Sequence, residues 1–252
     1  MKKNVLIIFV GLLIAFASSR LAAEAREIEL IYPGFVLQFD CDIGGATAAF
    51  YEVGPDSGDI DRDHSFFLDS KLPAGCSQQL STDTYQAPPT APYKYDRGHL
   101  VPANHLDGDA DAISASNVMT NITPQHSSFN RSGAWRETEK RIECWRDEAD
   151  KGPLQIWIGV VWGKDEANDH FVGSHGIVTP DSFVKLVYRP LTREAIAWFL
   201  PNGPLTAADL DHRVVEPFVV EAVLGESLPL EGVDKMVRAR PENWPVPNCS
   251  QS

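Results

Sequence analysis

Six short stretches of the chain carry the pattern of apolar and polar positions that is typical of β-strands. Pro33-Gly34 and Gly44-Gly45 separate the first three stretches, which predicts an antiparallel meander. The other three are richer in apolar residues and are predicted in the core of the sheet. The six predicted strands are residues 28–32, 35–39, 46–53, 154–162, 182–188 and 195–200.

One helix is predicted to begin near residues 130 to 133 and to run to about residue 149. Its apolar residues recur at helical spacing, with most charged residues elsewhere. The sequence Lys-Gly-Pro at 151–153 ends it. The apolar stripe consists of Ala134, Thr138, Ile142 and Trp145.

Residues 54–95 are rich in Pro, Asp, Ser and Gly, and we expect them to be mostly loop. A long irregular connection of this kind usually carries function. The strands and the helix together predict an α+β fold, with a mixed or antiparallel sheet as the core and helices packed on it.

The first 25 residues have the pattern of a secretory signal peptide. An apolar stretch at 5–17 follows two lysines, and Ala23-Glu24-Ala25 offers a small-residue cleavage site. A membrane-spanning helix needs about 20 apolar residues, and Arg20 interrupts this run. We therefore expect residues 26–252 to be one exported domain, secreted or periplasmic, without stable membrane association; its oligomeric state is left open.

Four cysteines are spread widely along the chain and form no CxxC pair, which argues against a structural zinc site. In an exported protein they predict two disulfides, although buried free thiols are an alternative. Spacing leaves three connectivities open. The cysteines are Cys41, Cys76, Cys144 and Cys249.

The formal net charge of the chain is −13, and removing residues 1–25, with three basic and one acidic side chain, makes it −15. Proteins that bind nucleic acid through counterion release normally present a basic face, so this charge argues against such a ligand. An enzyme that holds phosphate through a bound cation and a few local arginines tolerates a negative total.

Three polar clusters occur in order within the central segment of the chain. Asp96-Arg97-Gly98-His99 is followed by the turn at 120–125, and then by Asn130, Gly133 and Trp135 with Glu139 four residues later. This ordered set resembles the DNA/RNA non-specific endonuclease family. The resemblance implies a ββα-metal finger: His99 on a strand, a second short strand near 118–120, and a helix after Asn130. It also implies hydrolysis of phosphodiester bonds in DNA and RNA with little sequence specificity.

His99 is the candidate general base, because a neutral imidazole nitrogen accepts a proton from water near neutral pH. Gly98 is expected to remove a side chain where substrate approaches. The alternative for His99 is a structural histidine, and the family motif favours catalysis over it.

The resemblance assigns Asn130 as a metal ligand through its amide oxygen. Mg²⁺ prefers oxygen ligands and keeps several waters, so one protein ligand suffices; Mn²⁺ is an alternative ion. Glu139 is the acidic residue that orients water around the metal in the family. The alternatives are that Asn130 only caps its helix and that Glu139 is a solvated charge.

Further roles follow from the resemblance alone. Asp96 and Arg97 are assigned to substrate binding, and Arg62 is the candidate arginine that stabilises the transition state. Asn121 is expected to contact the surroundings of the metal, and Asn117 to orient His99 through its backbone; both have an alternative as turn residues.

The chain departs from the family pattern at one position. Many members carry an arginine four residues after the conserved glutamate, where this chain has Glu143. Arg141 or Arg146 is a candidate substitute.

The acidic stretch 107–111 fails the spacing of a calcium-binding EF-hand and is expected to be a solvated loop. Two other functions compete with the nuclease: a catalytically inactive nucleic-acid-binding or inhibitor module that kept the fold, and a phosphodiesterase for small nucleotides.

Overall fold

The computed structural model describes residues 26–56, 58, 60–61, 65–148 and 150–247. The predicted signal peptide, Arg62 and Cys249 lie outside these residues.

The described part of the chain contains nine strands in two antiparallel sheets. They are β1 (Glu27–Tyr32), β2 (Phe35–Asp40), β3 (Gly45–Val53), β4 (Tyr95–His99), β5 (Ile122–His126), β6 (Leu154–Val161), β7 (Ser182–Arg189), β8 (Glu194–Pro201) and β9 (Val214–Val215). The large sheet has the order β1-β2-β3-β6-β7-β8-β9, and β4 pairs with β5 in a separate two-stranded sheet. All six predicted strands are present within about two residues of their expected ends, and the α+β fold class is confirmed.

Most α-helices of the described residues lie between strands in the order of the chain. They are α1 (Ala110–Ser116), α2 (Ser127–Arg131), α3 (Ala134–Arg146), α4 (Val172–His175) and α5 (Pro217–Leu224). None of them is long and apolar enough to span a bilayer.

The large sheet is covered on both faces, and the strand β7 shows how. Phe183 and Val187 belong to the core that also contains Trp135 of α3, whereas Val184 and Leu186 belong to a second core formed with α5. Successive side chains of a strand point to opposite faces, so a strand between two cores is apolar on both. This explains why β7 is buried along its whole length.

The helix predicted to begin near residues 130 to 133 is α3, which begins at Ala134, and a break at Gly133 separates it from the short helix α2 that carries Asn130. The backbone nitrogen of Ala134 donates a hydrogen bond to the carbonyl of Leu205 at 3.2 Å. A Cβ atom on Gly133 would lie 2.1 Å from that same carbonyl oxygen. The close approach of a distant segment therefore interrupts the helix, and Gly133, not Asn130, is the N-cap residue of α3.

The second strand of the predicted finger is also displaced. Met119–Asn121 forms a turn of 3-10 helix, and the strand that pairs with β4 is Ile122–His126. The expected strand near 118–120 is therefore wrong by about four residues, while the strand that ends at His99 is present.

The acidic stretch 107–111 is not simply a solvated loop. The carboxylate of Asp109 caps α1 by accepting hydrogen bonds from the backbone nitrogens of Asp111 and Ala112 at 2.8 and 3.3 Å. Asp107 pairs with buried Arg146 at 3.3 Å. Both carboxylates thus stabilise the segment locally.

Cys41 and Cys76 form a disulfide that joins the end of β2 to the loop before β4. None of the described cysteines is free.

Candidate active site

A polar cavity of about 470 Å³ lies at the end of β4, beside α2 and α3. His99 ends β4, and its register partner is Ile122 at the start of β5. The cavity therefore brings side chains from a strand and two helices together. It is lined by His99, Pro102, Ala103, Asn104, Asn130, Arg136 and Glu139.

The imidazole of His99 is held by Asn117. Its Nε2 lies 3.0 Å from the side-chain Oδ1 of Asn117. Because an amide oxygen only accepts hydrogen bonds, Nε2 carries the proton, and in the neutral ring Nδ1 then holds the lone pair. The family resemblance implied that Asn117 orients His99 through its backbone. In the structure the side chain of Asn117 makes this contact.

Gly98 is required for packing between β4 and β5. A Cβ atom at this position would lie 2.2 Å from Cδ of buried Gln125 on β5. The expectation that Gly98 clears space for substrate is therefore wrong, since the side chain that it avoids is a neighbour in the protein.

Asn130 is oriented by Asp96. Its amide nitrogen donates a hydrogen bond to Oδ2 of Asp96 at 3.2 Å. A carboxylate without a proton only accepts hydrogen bonds, so the amide nitrogen must face Asp96 and the amide oxygen points away from it. The oxygen of Asn130 is thereby the atom available to a ligand in the cavity.

The carboxylate of Asp96 receives two further side chains. Ser127 Oγ donates at 3.0 Å and Arg131 Nε at 2.8 Å. Burial acts to raise the pKa of Asp96, but the hydrogen bonds from Arg131, Asn130 and Ser127 outweigh it and lower the pKa. Asp96 therefore stays charged, and protein donors occupy its oxygens.

Glu139 and Arg136 form the wall of the cavity on α3. Nη1 of Arg136 donates to Oε2 of Glu139 at 3.2 Å and to Oε1 of Glu143 at 3.1 Å. Sequence reasoning did not single out Arg136. The available signal was its spacing, because residues three and seven positions apart on a helix lie on one side.

Buried charges support Glu139 from the sheet. Lys185 on β7 lies 3.5 Å from the centre of the Trp135 ring and donates to Oγ1 of Thr138 at 2.8 Å. Burial lowers the pKa of Lys185 to about 7. Burial also raises the pKa of Glu139, although the positive charges of Lys185 and Arg136 act to lower it. Sequence reasoning missed Lys185, although a lysine within an apolar strand was a usable signal.

Neither arginine that was expected to replace the missing family arginine lines the cavity. Arg141 pairs with Glu137 and Asp211, and Arg146 pairs with Asp56 and Asp107. Neither candidate substitute lies at the cavity, because these side chains leave α3 in other directions.

Asn121 is fully buried and braces the chain that follows His99. Its amide nitrogen donates to the carbonyls of Val101 and Ser116 at 2.9 and 2.8 Å, and its oxygen accepts from the Val101 nitrogen at 3.0 Å. It does not line the cavity. The structure therefore places Asn121 behind His99.

The remaining predicted residues are Arg97 and Arg62. Arg97 donates to the carbonyl of Thr82 at 2.6 Å and lies 3.9 Å from the centre of the Phe66 ring. Arg62 lies outside the described residues.

The oxygen donors in the cavity fit a hard divalent cation. Asn130 and Glu139 both line it, and Mg²⁺ takes such ligands together with several waters. Among the described residues, no group of three or more His, Cys, Asp or Glu side chains is placed to hold a metal. The donor set thus suits an ion held by few protein ligands and much water.

Comparison with known proteins gives one family and one fold. The sequence matches the profile of the DNA/RNA non-specific endonucleases over residues 15–225. One similar solved structure is a chain in the crystal structure of the EndoG/EndoGI complex, which concerns the mechanism of EndoG inhibition. The two chains align with a TM-score of 0.63 and 17% identity, and the alignment covers 82% of this chain and 87% of that chain. No curated protein sequence matches. Likeness at this identity shows a shared fold.

Proposed function

The chain belongs to the DNA/RNA non-specific endonuclease family, whose members are phosphodiester hydrolases, and from this we propose that it is an exported, Mg²⁺-dependent nuclease that cleaves DNA and RNA with little sequence specificity. One observation carries the mechanism: His99, Asn130 and Glu139 come from three separate elements and line one cavity. A base and oxygen donors for a cation are what hydrolysis of an unactivated phosphodiester requires.

His99 acts as the general base. Asn117 holds the proton on Nε2, so the lone pair of Nδ1 accepts a proton from the attacking water. Asn121 acts as a positioning residue, because its three backbone hydrogen bonds hold the chain at Val101 and Ser116.

Asn130 would hold Mg²⁺ through its amide oxygen, and Glu139 would orient water at the ion; Mn²⁺ is the alternative. When bound, the cation neutralises negative charge that grows on the phosphate and the leaving oxygen. Asp96 contributes by fixing the Asn130 amide, as the hydrogen bond between their side chains supports.

Arg136 contacts the phosphate. It lines the cavity while Glu139 and Glu143 hold its guanidinium, so it brings a positive charge to the place where the family arginine is missing. Arg97 binds substrate, and Arg62 remains the proposed transition-state arginine. Export rests on the predicted signal peptide.

The test compares two variants that remove different functions. His99→Ala should lower the rate of plasmid cleavage by roughly two to four orders of magnitude without changing Mg²⁺ affinity, since it removes only the base. Asn130→Ala should weaken Mg²⁺ binding, so that added metal restores part of the activity. His212→Ala, which changes an exposed histidine outside the cavity, is the matched control.

The substrates are plasmid, single-stranded DNA and RNA, each with Mg²⁺ or EDTA. Cleavage that continues in EDTA would contradict the metal dependence. A His99→Ala enzyme that cleaves at the wild-type rate would contradict the mechanism, and hydrolysis of a small chromogenic diester alone would favour a small-nucleotide phosphodiesterase.

A further inference from the structure

A second cavity, of about 700 Å³, adjoins the active site on the other side of Asp96. It lies between β4 and the proline-containing segment 84–93, and we call it the Tyr93 cavity. Its volume falls within the range of roughly 300–1,000 Å³ that is typical of small-molecule sites. The residues that matter here are Phe66, Tyr93, Lys94, Arg97 and Arg131.

Phe66 links the Tyr93 cavity to the catalytic histidine. The Phe66 ring lines the cavity, and its centre is 5.6 Å from that of the His99 ring. Arg97 and His99 are two residues apart on β4, so they share one face of the strand at a separation of about 7 Å along the chain. A strand bound with one phosphate at His99 therefore brings its neighbouring nucleotide to the Tyr93 cavity.

The charges around the Tyr93 cavity are opposite in sign to those of the chain as a whole. Lys94, Arg97 and Arg131 line it together with one carboxylate, Asp96, whereas the chain carries −13. The side chain of Arg131 is 71% exposed. A local group of cations attracts a phosphodiester even when the total charge is negative, because the potential in a cleft follows its nearest charges.

Aromatic and proline side chains complete the wall. Tyr93 is 44% exposed, although it is a large aromatic residue, and its ring packs against His126 at 4.7 Å between centres. Pro88 and Pro89 line the same cavity and restrict its backbone. Aromatic rings beside cations are the arrangement with which proteins stack unpaired bases and hold the backbone of a single strand.

We propose that the Tyr93 cavity binds one unpaired nucleotide of the strand to be cleaved, with its base stacked on Tyr93 and its phosphate near Arg97 and Arg131. A base in a duplex must leave its stack to enter such a cavity, which opposes binding. The enzyme therefore prefers single-stranded DNA and RNA over duplex. This inference rests on the proposed function, because it assumes that the scissile phosphate lies at His99.

The experiment measures binding separately from cleavage. Fluorescence anisotropy in EDTA gives the affinity of the full chain for a labelled oligothymidylate, an oligouridylate of equal length and a hairpin duplex. Tyr93→Ala should weaken binding of both single strands by roughly 5- to 150-fold, the effect of losing one stacking platform, and should change duplex binding by less than about twofold. Tyr93→Phe keeps the ring and should bind like the wild type.

Phe218→Ala is the matched control, because Phe218 is 39% exposed and lies on α5. Thermal unfolding of each variant shows whether it folds. Equal losses for single strands and duplex, no loss in Tyr93→Ala, or no single-strand binding by the wild type would each overturn the proposal. If the wild type cleaves plasmid but Tyr93→Ala binds single strands as tightly as the wild type does, only this proposal fails. A wild type that does not cleave plasmid contradicts the proposed function.

Discussion

Asp96→Asn tests whether the carboxylate of Asp96 orients the proposed metal ligand Asn130 or binds the substrate. Oδ2 of Asp96 accepts hydrogen bonds from Nδ2 of Asn130 at 3.2 Å and from Nε of Arg131 at 2.8 Å. Arg131 donates to both oxygens of Asp96, whereas an asparagine amide has one oxygen only, so one of its sides presents hydrogen atoms to Arg131. The Asn130 amide then loses its charged partner, and its orientation is fixed less strongly because the new amide presents either an oxygen or a nitrogen to it.

The expected result is a loss of Mg²⁺ affinity of about 10- to 100-fold, the usual effect of removing a partner that orients a metal ligand. This corresponds to roughly 1.4 to 2.8 kcal/mol. At saturating Mg²⁺ the turnover rate should stay within about threefold of wild type, because His99 is untouched. Ser127→Ala is the control, since it removes a hydrogen bond to Asp96 without altering the contact with Asn130.

Rates of plasmid cleavage over a range of Mg²⁺ concentrations give the apparent metal affinity, and calorimetry gives it directly. An Asp96→Asn enzyme with the wild-type Mg²⁺ dependence would refute the reasoning. A higher KM for nucleic acid at unchanged Mg²⁺ affinity would instead favour the role in substrate binding that the family resemblance suggests.

Three further predictions concern single features of the structure. Arg136→Gln should lower the cleavage rate by roughly a hundredfold, because it removes a charged donor to the phosphate. Arg141→Gln, which loses pairs with Glu137 and Asp211, should cleave at close to the wild-type rate. Equal rates in the two variants would contradict the assignment of Arg136. Gly98→Ala should lower the free energy of unfolding by about 1–3 kcal/mol in urea titrations, because its Cβ would overlap Gln125. Unchanged stability would show that β4 and β5 adjust freely. Replacing Cys41 and Cys76 together by alanine should lower that free energy by about 2–4 kcal/mol, because the disulfide closes a loop of 35 residues; alkylation of either thiol in the unreduced protein would show that the bond is absent.

The amino-acid sequence was sufficient to predict the strands and the residues of the motif. Strands such as β3 and β8 follow from short apolar segments rich in β-forming residues, a property that each segment carries by itself, so short-range physics predicts them. The order Asp96 to His99, Asn130 and Glu139 was readable in the same way, because the motif is a property of chain order. The family and the fold class were predicted on these grounds and are confirmed.

Tertiary contacts decided what local pattern could not express. The break at Gly133 depends on the carbonyl of Leu205, which is far along the chain, and local helical periodicity carries no information about it. Arg136, Arg141 and Arg146 leave α3 in different directions, and only Arg136 lines the cavity. Spacing places Arg136 on the same side of α3 as Glu139 and Glu143, but only the packed structure decides that this side faces the cavity.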